Sequence, residues 1–297
     1  MIKFKHLLYT VAVGTLLYAC GTDSNPRIEN FDHEAQAIKD QDSIVKFLKT
    51  HYYKDAVDSI KPLIDGETAL MDDVRLKSRV VNEYDIDYTY YYFVKEEGVS
   101  EKGYPTVVDS VLTTYRLSSL DASDKLTKVQ DLNTPTWFNA SQIAVRGWLH
   151  AFTHFKGGEL KKEDDGSPYN GPITYNGTGK GFFLLPSGLS YRNSGNLPNK
   201  TLLYFVSLHD IVENTDHDQD GVPSIFEDVD EDGKPWNDDT DKNNVPNYLD
   251  IDDDGDGVLT KYEDTDKKDG DPRNDFSDPN KPTVPDYLNR NIRKSTK

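Results

Sequence analysis

The chain has 297 residues, a formal net charge of −18 and one cysteine. That length holds more than one domain, and a lone cysteine rules out an internal disulfide. The acid is concentrated: residues 216–288 hold 24 Asp and Glu against 7 Lys and Arg, a balance of −17 that leaves the rest at −1 and excludes nucleic acid as a natural partner.

Residues 1–19 read as a signal peptide, with Lys3 and Lys5 ahead of an apolar run over 7–17 that is too short to span a bilayer. The run ends Leu17-Tyr18-Ala19-Cys20, which resembles the lipobox of bacterial lipoproteins. The resemblance implies that Cys20 is the lipidation site and that a lipid membrane is a partner, each buried methylene contributing about 0.8 kcal/mol. The expected location is the bacterial envelope, on the outer membrane. No later segment is long and apolar enough to cross a membrane.

Residues 20–84 are expected to be a tether followed by a short helical region. Asp42 and Ser43 can cap a helix carrying Ile44, Phe47, Leu48 and Tyr52 at helical spacing. Strands are predicted over 84–94 and 110–117, with a turn at 98–105 between them. A helix follows Arg146-Gly147-Trp148 to Phe155, then a loop over 157–181, then strands over 182–185 and 201–208. Strands with one helix predict an α+β fold. His150 and His154 have zinc spacing but lack a third ligand, and 177–181 precedes a strand where a phosphate loop would open a helix.

The acidic end repeats. Asp220-Gly221-Val222 returns as Asp256-Gly257-Val258, and Glu227-Asp228 as Glu263-Asp264. Calcium takes six to eight oxygen ligands, and a twelve-residue loop supplies them from positions 1, 3, 5, 7 and 12 around a turning glycine at 6. Asp216, Asp218, Asp220, Val222 and Glu227 fill one loop; Asp252, Asp254, Asp256, Val258 and Glu263 fill another. Two incomplete versions lie between: Asp228, Asp230 and Asp232 before Gly233, and Asp239, Asp241 and Asn243 leading to Asp250. With little room for flanking helices, residues 214–289 resemble thrombospondin type 3 repeats, which implies structural calcium; 290–297 is a basic tail.

Residues 85–213 carry Asp109-Ser110-Val111-Leu112-Thr113-Thr114-Tyr115, Ala144-Val145-Arg146-Gly147-Trp148, Leu185-Pro186-Ser187-Gly188-Leu189-Ser190-Tyr191, Leu197-Pro198-Asn199 and Thr201-Leu202-Leu203-Tyr204-Phe205-Val206-Ser207-Leu208. In order and spacing these resemble the FKBP-type prolyl isomerases. The resemblance implies a curved antiparallel sheet wrapped over one helix, and isomerisation of proline-containing polypeptides with no cofactor for the reaction itself. It also implies a pocket with Trp148 as floor, Val145, Tyr115, Leu197 and Tyr204 as walls, and Tyr191 as hydroxyl donor. The chain departs from the family where Phe-Asp is usual, offering Val129-Gln130 or Gln130-Asp131. The aromatic expected after Pro135 is Thr136, unless Trp137 or Phe138 replaces it. An insertion near 158–177 is expected to form a loop or lid. The expected function is therefore prolyl isomerisation of exported proteins, with a calcium-stabilised tail as spacer. The alternative is a non-catalytic binding or chaperone module.

Overall fold

In chain order the elements are α1 (His33–Thr50), β1 (His51–Lys54), β2 (Ser59–Pro62), β3 (Leu76–Glu83), β4 (Ile86–Glu96), β5 (Ser110–Leu120) and β6 (Leu126–Phe138). They continue with α2 (Arg146–Phe152), β7 (Glu159–Leu160), β8 (Tyr175–Asn176), β9 (Gly179–Leu185) and β10 (Thr201–Val212). The computed structural model describes residues 31–121, 123–139, 141, 143–265 and 269–296, so the expected leader and Cys20 lie outside the described residues.

Six strands form one sheet in the order β3-β4-β9-β10-β5-β6, with every neighbouring pair antiparallel. Successive side chains of a strand point to opposite faces, and here both faces are apolar. Tyr88, Leu117, Phe183 and Tyr204 belong to one core, while Phe93, Leu120, Phe182 and Leu203 belong to the other. Register breaks between Thr113 and Tyr115, Leu117 and Ser118, Val94 and Glu96, and Leu208 and Asp210 bend the strands, and the sheet curves. The first core is closed by α2, whose residues Gly147 to Phe152 are all buried. The second is closed by Ile44, Phe47 and Leu48 of α1 together with Tyr53 and Ile60 of the β1–β2 hairpin. The α+β expectation thus holds as a curved antiparallel sheet with two helices among the described residues.

Several elements differ from their sequence reading. The sheet begins upstream of Asp85, because β3 pairs with β4 from Leu76 to Glu83. Helix α1 starts at His33, well before Asp42, and Tyr52 lies beyond it in β1. The early turns bury Asp40 as well as the later apolar stripe, and an acid is invisible to an apolar-spacing rule. The insertion forms the small β7–β8 hairpin at the Asp210 end of β10, where Gly158 N–H donates to the His209 carbonyl at 2.8 Å and Tyr175 Oη to Asp210 Oδ2 at 3.2 Å. Tyr204 lies well along the strand from there, so the insertion is not a lid over the expected pocket.

Residues 33–297 form one unit, and the acidic region is packed onto the sheet domain within it. Ile225 and Trp236 rest against Val108 and Leu149. Ser110 N–H donates to Thr215 Oγ1 at 2.9 Å, and Thr215 N–H returns a bond to Asp109 Oδ1 at 3.1 Å. The acidic region is therefore docked on the sheet domain and does not hang from it as a free tail. Among the described residues the acidic region contains only 3-10 turns, at Ser224–Glu227, Pro235–Asn237, Asn247–Leu249, Thr260–Tyr262, Pro272–Asn274 and Asp286–Leu288. Its buried apolar groups are few, Val222, Tyr248 and Tyr287 among them. Polar stitches take the place of a core: buried Ser224, Asn247, Thr260 and Asp286 accept from the backbone N–H of His217, Thr240, Asp253 and Ser277.

Candidate functional sites: an aromatic cup and a chain of acidic loops

Helix α2 reaches the sheet closely because Gly147 has no side chain; a Cβ there would stand 2.9 Å from both Leu185 methyl groups and from Leu189 Cβ. Gly188 serves the neighbouring turn in the same way, since a Cβ would overlap the Tyr88 ring. With the helix seated, Trp148 meets Tyr204 in a stacked contact at 5.7 Å, Tyr115 edge-on at 5.5 Å, Phe138 at 4.9 Å and Phe152 at 5.3 Å between ring centroids. Tyr115 also meets Tyr204 at 5.7 Å. Val145 is buried in the same cluster, and Tyr191 and Leu197 pack against it half-buried. All six residues expected at a pocket therefore belong to one apolar cluster, contributed by β5, Val145 at the start of α2, α2 itself, β10 and the loop over 190–200.

The polar atoms of this cup are sparse. Burial, followed by the neighbouring Tyr191 and Tyr115 oxygens, raises the Tyr204 hydroxyl above its ordinary range. Burial, then Tyr191, does the same to Tyr115. Both remain neutral donors. Trp148 Nε1 is buried with no hydrogen-bond partner, a donor facing apolar surroundings. On β6 the register sets Leu132 opposite Tyr115, Asp131 opposite Arg116 and Gln130 opposite Leu117. Tyr115 Oη donates to Gln130 Oε1 at 3.2 Å, whereas Asp131 pairs with Lys128 at 2.7 Å. A neutral amide thus stands beside the cup. Phe138 turns inward and Trp137 is 45% exposed, so Phe138 is the aromatic that follows Pro135 in the wall. His150 and His154 face different partners: His150 Nε2 lies 2.9 Å from Glu83 Oε1, and His154 Nε2 lies 2.8 Å from Tyr90 Oη.

The acidic loops share one backbone geometry. At the sixth position Gly221, Gly233, Asn244 and Gly257 have φ of +99°, +84°, +71° and +94°, the left-handed region that glycine and asparagine tolerate. Their N–H groups donate to the first-position carboxylates of Asp216, Asp228, Asp239 and Asp252 at 3.1, 2.8, 2.9 and 3.1 Å. Val222 and Val258 donate their N–H to Asp220 and Asp256 at 2.8 and 2.7 Å. Gly270, at φ +88°, donates its N–H to Asp264 Oδ2 at 2.6 Å, six residues back and so one residue longer than the span in the four loops.

Among the described residues carboxylate oxygens gather within 4.8 Å of one another in four groups: Asp216, Asp218 and Asp220; Asp220, Glu227 and Asp253; Asp228, Asp230 and Asp238; and Asp252, Asp254 and Asp256. Glu263 is buried beside the last, held up to about 9 by burial and then by Asp254 and Asp256. Glu227 is fully buried and neither of its side-chain oxygens has a hydrogen-bond partner. Asp253 Oδ1, Asp254 Oδ2 and Glu263 Oε1 are in the same condition. Buried ionised oxygens without partners cost several kcal/mol each, and a divalent cation bound by oxygen is the group that relieves them. The donor set fits calcium. Asp253 was missed because it is the even member of Asp252-Asp253-Asp254; it joins the preceding loop, which a within-loop template cannot express. Asp232 stands outside the clusters, bonded to Lys234 at 2.9 Å and Asn237 at 3.2 Å. Asp239, Asp241, Asn243 and Asp250 form a looser loop, where Asn243 Nδ2 donates to Asp250 at 2.7 Å.

A family model described as BamM C-terminal matches residues 217–288, the acidic loops alone. The thrombospondin type 3 family expected for this region is not the one whose model matches. No curated protein sequence matches the chain. Among solved structures, a peptidyl-prolyl cis-trans isomerase from Pseudomonas syringae pv. tomato is 14% identical over 65% of this chain and 100% of that one, with a TM-score of 0.34. The N-terminal domain of FKBP42 from Arabidopsis thaliana is 15% identical over 52% of this chain and 98% of that one, with a TM-score of 0.32. A multi-domain immunophilin from the same plant is 14% identical over 53% of this chain and 50% of that one, at 0.33.

Proposed function

We propose that the chain is an FKBP-type peptidyl-prolyl cis-trans isomerase that acts on exported polypeptides, is anchored in the bacterial envelope by lipid on Cys20, and carries structural calcium in its acidic loops. The observation that carries the reading is the aromatic cup, in which Trp148, Tyr115, Tyr204 and Phe138 meet around a nearly apolar surface. Rotating a prolyl amide is opposed by a barrier of about 18–20 kcal/mol, because twisting destroys resonance. The twisted amide is less polar than the planar one, so a dry aromatic surface stabilises it more than the ground state. No nucleophile or acid–base pair is needed. Tyr191 would hold the carbonyl of the bound peptide while Trp148 and its neighbours grip the pyrrolidine ring.

Gln130 beside Tyr115 favours a second reading, a fold kept for binding unfolded chains, since a neutral amide stands where the family has a carboxylate. NMR exchange spectroscopy on a short proline peptide separates the two. Cis–trans exchange faster than in buffer supports the isomerase; a folded protein that binds the peptide without accelerating it supports the module. Calcium, held by Asp216, Asp218, Asp220, Glu227 and Asp253 and by Asp252, Asp254, Asp256 and Glu263, would supply fixed positive charge that cross-links adjoining loops. The anchor is checked by mass spectrometry of the mature amino terminus, where an unmodified Cys20 would remove it.

A further inference from the structure

The turn Pro235–Asn237 is where the acidic loops touch the helix that floors the cup. Trp236 lies under the Arg146 guanidinium at 4.8 Å and meets the His150 ring edge-on at 5.6 Å, both on α2. Ile225 and Trp236 close a small apolar cluster with Leu149 and Val108. Trp148, on the same single-layer helix, points the other way into the cup. Helix α2 has only seven residues and no side-chain cap at Val145, so little inside it keeps it ordered. Its order depends on what packs against it.

Two residues after Trp236 comes Asp238, 8% exposed, whose Oδ1 accepts from Asp230 N–H at 3.2 Å and whose Oδ2 is buried without a partner. Its carboxylate stands within 4.8 Å of those of Asp228 and Asp230. The sequence pattern groups Asp228 and Asp230 with Asp232, yet Asp232 is turned to Lys234 and Asn237. We propose that Asp228, Asp230 and Asp238 form a divalent-cation site whose occupancy clamps Trp236 onto α2, so that the acidic region sets the firmness of the cup floor. Three carboxylates drawn around one point repel each other, and the strand of chain that joins Asp230 to Asp238 contains Trp236. A cation at that point closes the loop and fixes the indole; without it the loop opens and Arg146, His150 and Leu149 lose their cover.

The consequence for turnover rests on the isomerase reading, but the link from cation to helix does not. Hydrogen exchange of α2 in the full chain, followed by mass spectrometry in calcium and in chelator, reads the link directly. In the wild type calcium should slow exchange over 146–152 by roughly fivefold or more, the size of an ordinary coupling between sites. Asp238→Asn should remove that slowing while residues 252–263 still gain protection from calcium. Trp236→Ala, a change at a half-buried site that leaves the acidic loops intact, should leave calcium protection within 228–238 and abolish it over 146–152. Exchange over 146–152 indifferent to calcium in the wild type overturns the proposal, as does full transmission through Trp236→Ala. Because neither readout involves a proline substrate, a failed isomerase assay and a failed link are distinguishable.

Discussion

Trp148 leaves 5% of its surface exposed and touches four aromatic rings, whereas Tyr191 sits half-buried at the edge of the same cluster. Their substitutions should therefore separate. Trp148→Ala removes a large buried surface, a change that costs roughly 3–5 kcal/mol of stability in typical cores, and should abolish prolyl turnover. Tyr191→Phe keeps the ring and removes one hydrogen bond worth about 1 kcal/mol, roughly a fivefold loss in rate with little change in stability. Peptide exchange by NMR together with urea unfolding checks both; equal damage from the two would mean that the hydroxyl, and not the dry surface, carries the chemistry. Glu227 poses the opposite problem, because burial first and then the charges of Asp253, Asp220, Asp218 and Asp216 hold its carboxyl far above the usual carboxylate range. Glu227→Gln removes the cost of keeping that carboxyl protonated in the fold, at nearly constant volume, and with it the anionic oxygen a cation would use. We expect the variant to melt higher than the wild type in chelator and to gain less from calcium. A variant that melts lower in both conditions would make Glu227 a structural hydrogen-bonding residue.

At the scale of elements, α1 and the β1–β2 hairpin are what make the second face of the sheet a core. Ile44, Phe47 and Leu48 are each 0% exposed, and burying a side chain of that size contributes about 1.5–3 kcal/mol. Their sum is comparable with the net stability of a typical domain, roughly 5–15 kcal/mol. Asp40 adds a directional tie: its Oδ2 accepts from Ser187 N–H at 2.7 Å, on the turn that leads to Tyr191. A fragment beginning at residue 85 also cuts through the β3–β4 hairpin and bares Tyr91 and Phe93. We expect such a fragment to aggregate, while one beginning at residue 33 stays monomeric; gel filtration and circular dichroism distinguish them. These elements also mark what could be read in advance. The strands holding Tyr115, Phe183 and Tyr204 have apolar residues on both faces, and Trp148 and Tyr191 stand in motifs that resemble a known family, so it was the resemblance, and not spacing, that grouped them. Strand β6 could not be bounded, because its residues are largely exposed and carry no alternation. Asp238 and Asp253 escaped for a different reason: each serves a cluster whose other members belong to a different position of the repeat, and spacing rules see one loop at a time.

For the whole molecule, the uneven charge makes folding of the acidic region a question of pH as well as of calcium. Burial, with help from neighbouring carboxylates, raises Asp220 and Asp254 to about 7 and Asp218 to about 8. In an unfolded chain such groups ionise near 4. A folded value above the unfolded one means that the protonated form is favoured by folding. In metal-free protein the contribution is complete below about pH 4 and is lost as pH rises through 7 to 8, at ~1.4 kcal/mol per pH unit for each proton concerned. Calcium reverses the sign, because it binds the ionised carboxylates: their values in the loaded protein fall, protons are released on binding, and the added stability is present at high pH and lost on acidification. Melting temperatures in chelator should therefore fall from pH 5 to pH 8.5, while those in millimolar calcium rise or hold steady, and the two curves should diverge with pH. Calorimetric titration in buffers of different ionisation enthalpy should register protons leaving as calcium binds at pH 7. Parallel curves and no proton release would mean that the buried carboxylates do not receive the ion. Divergence confined to a transition involving residues 216–288, with exchange at α2 following it, would tie the acidic region's charge to the cup through the Trp236 contact.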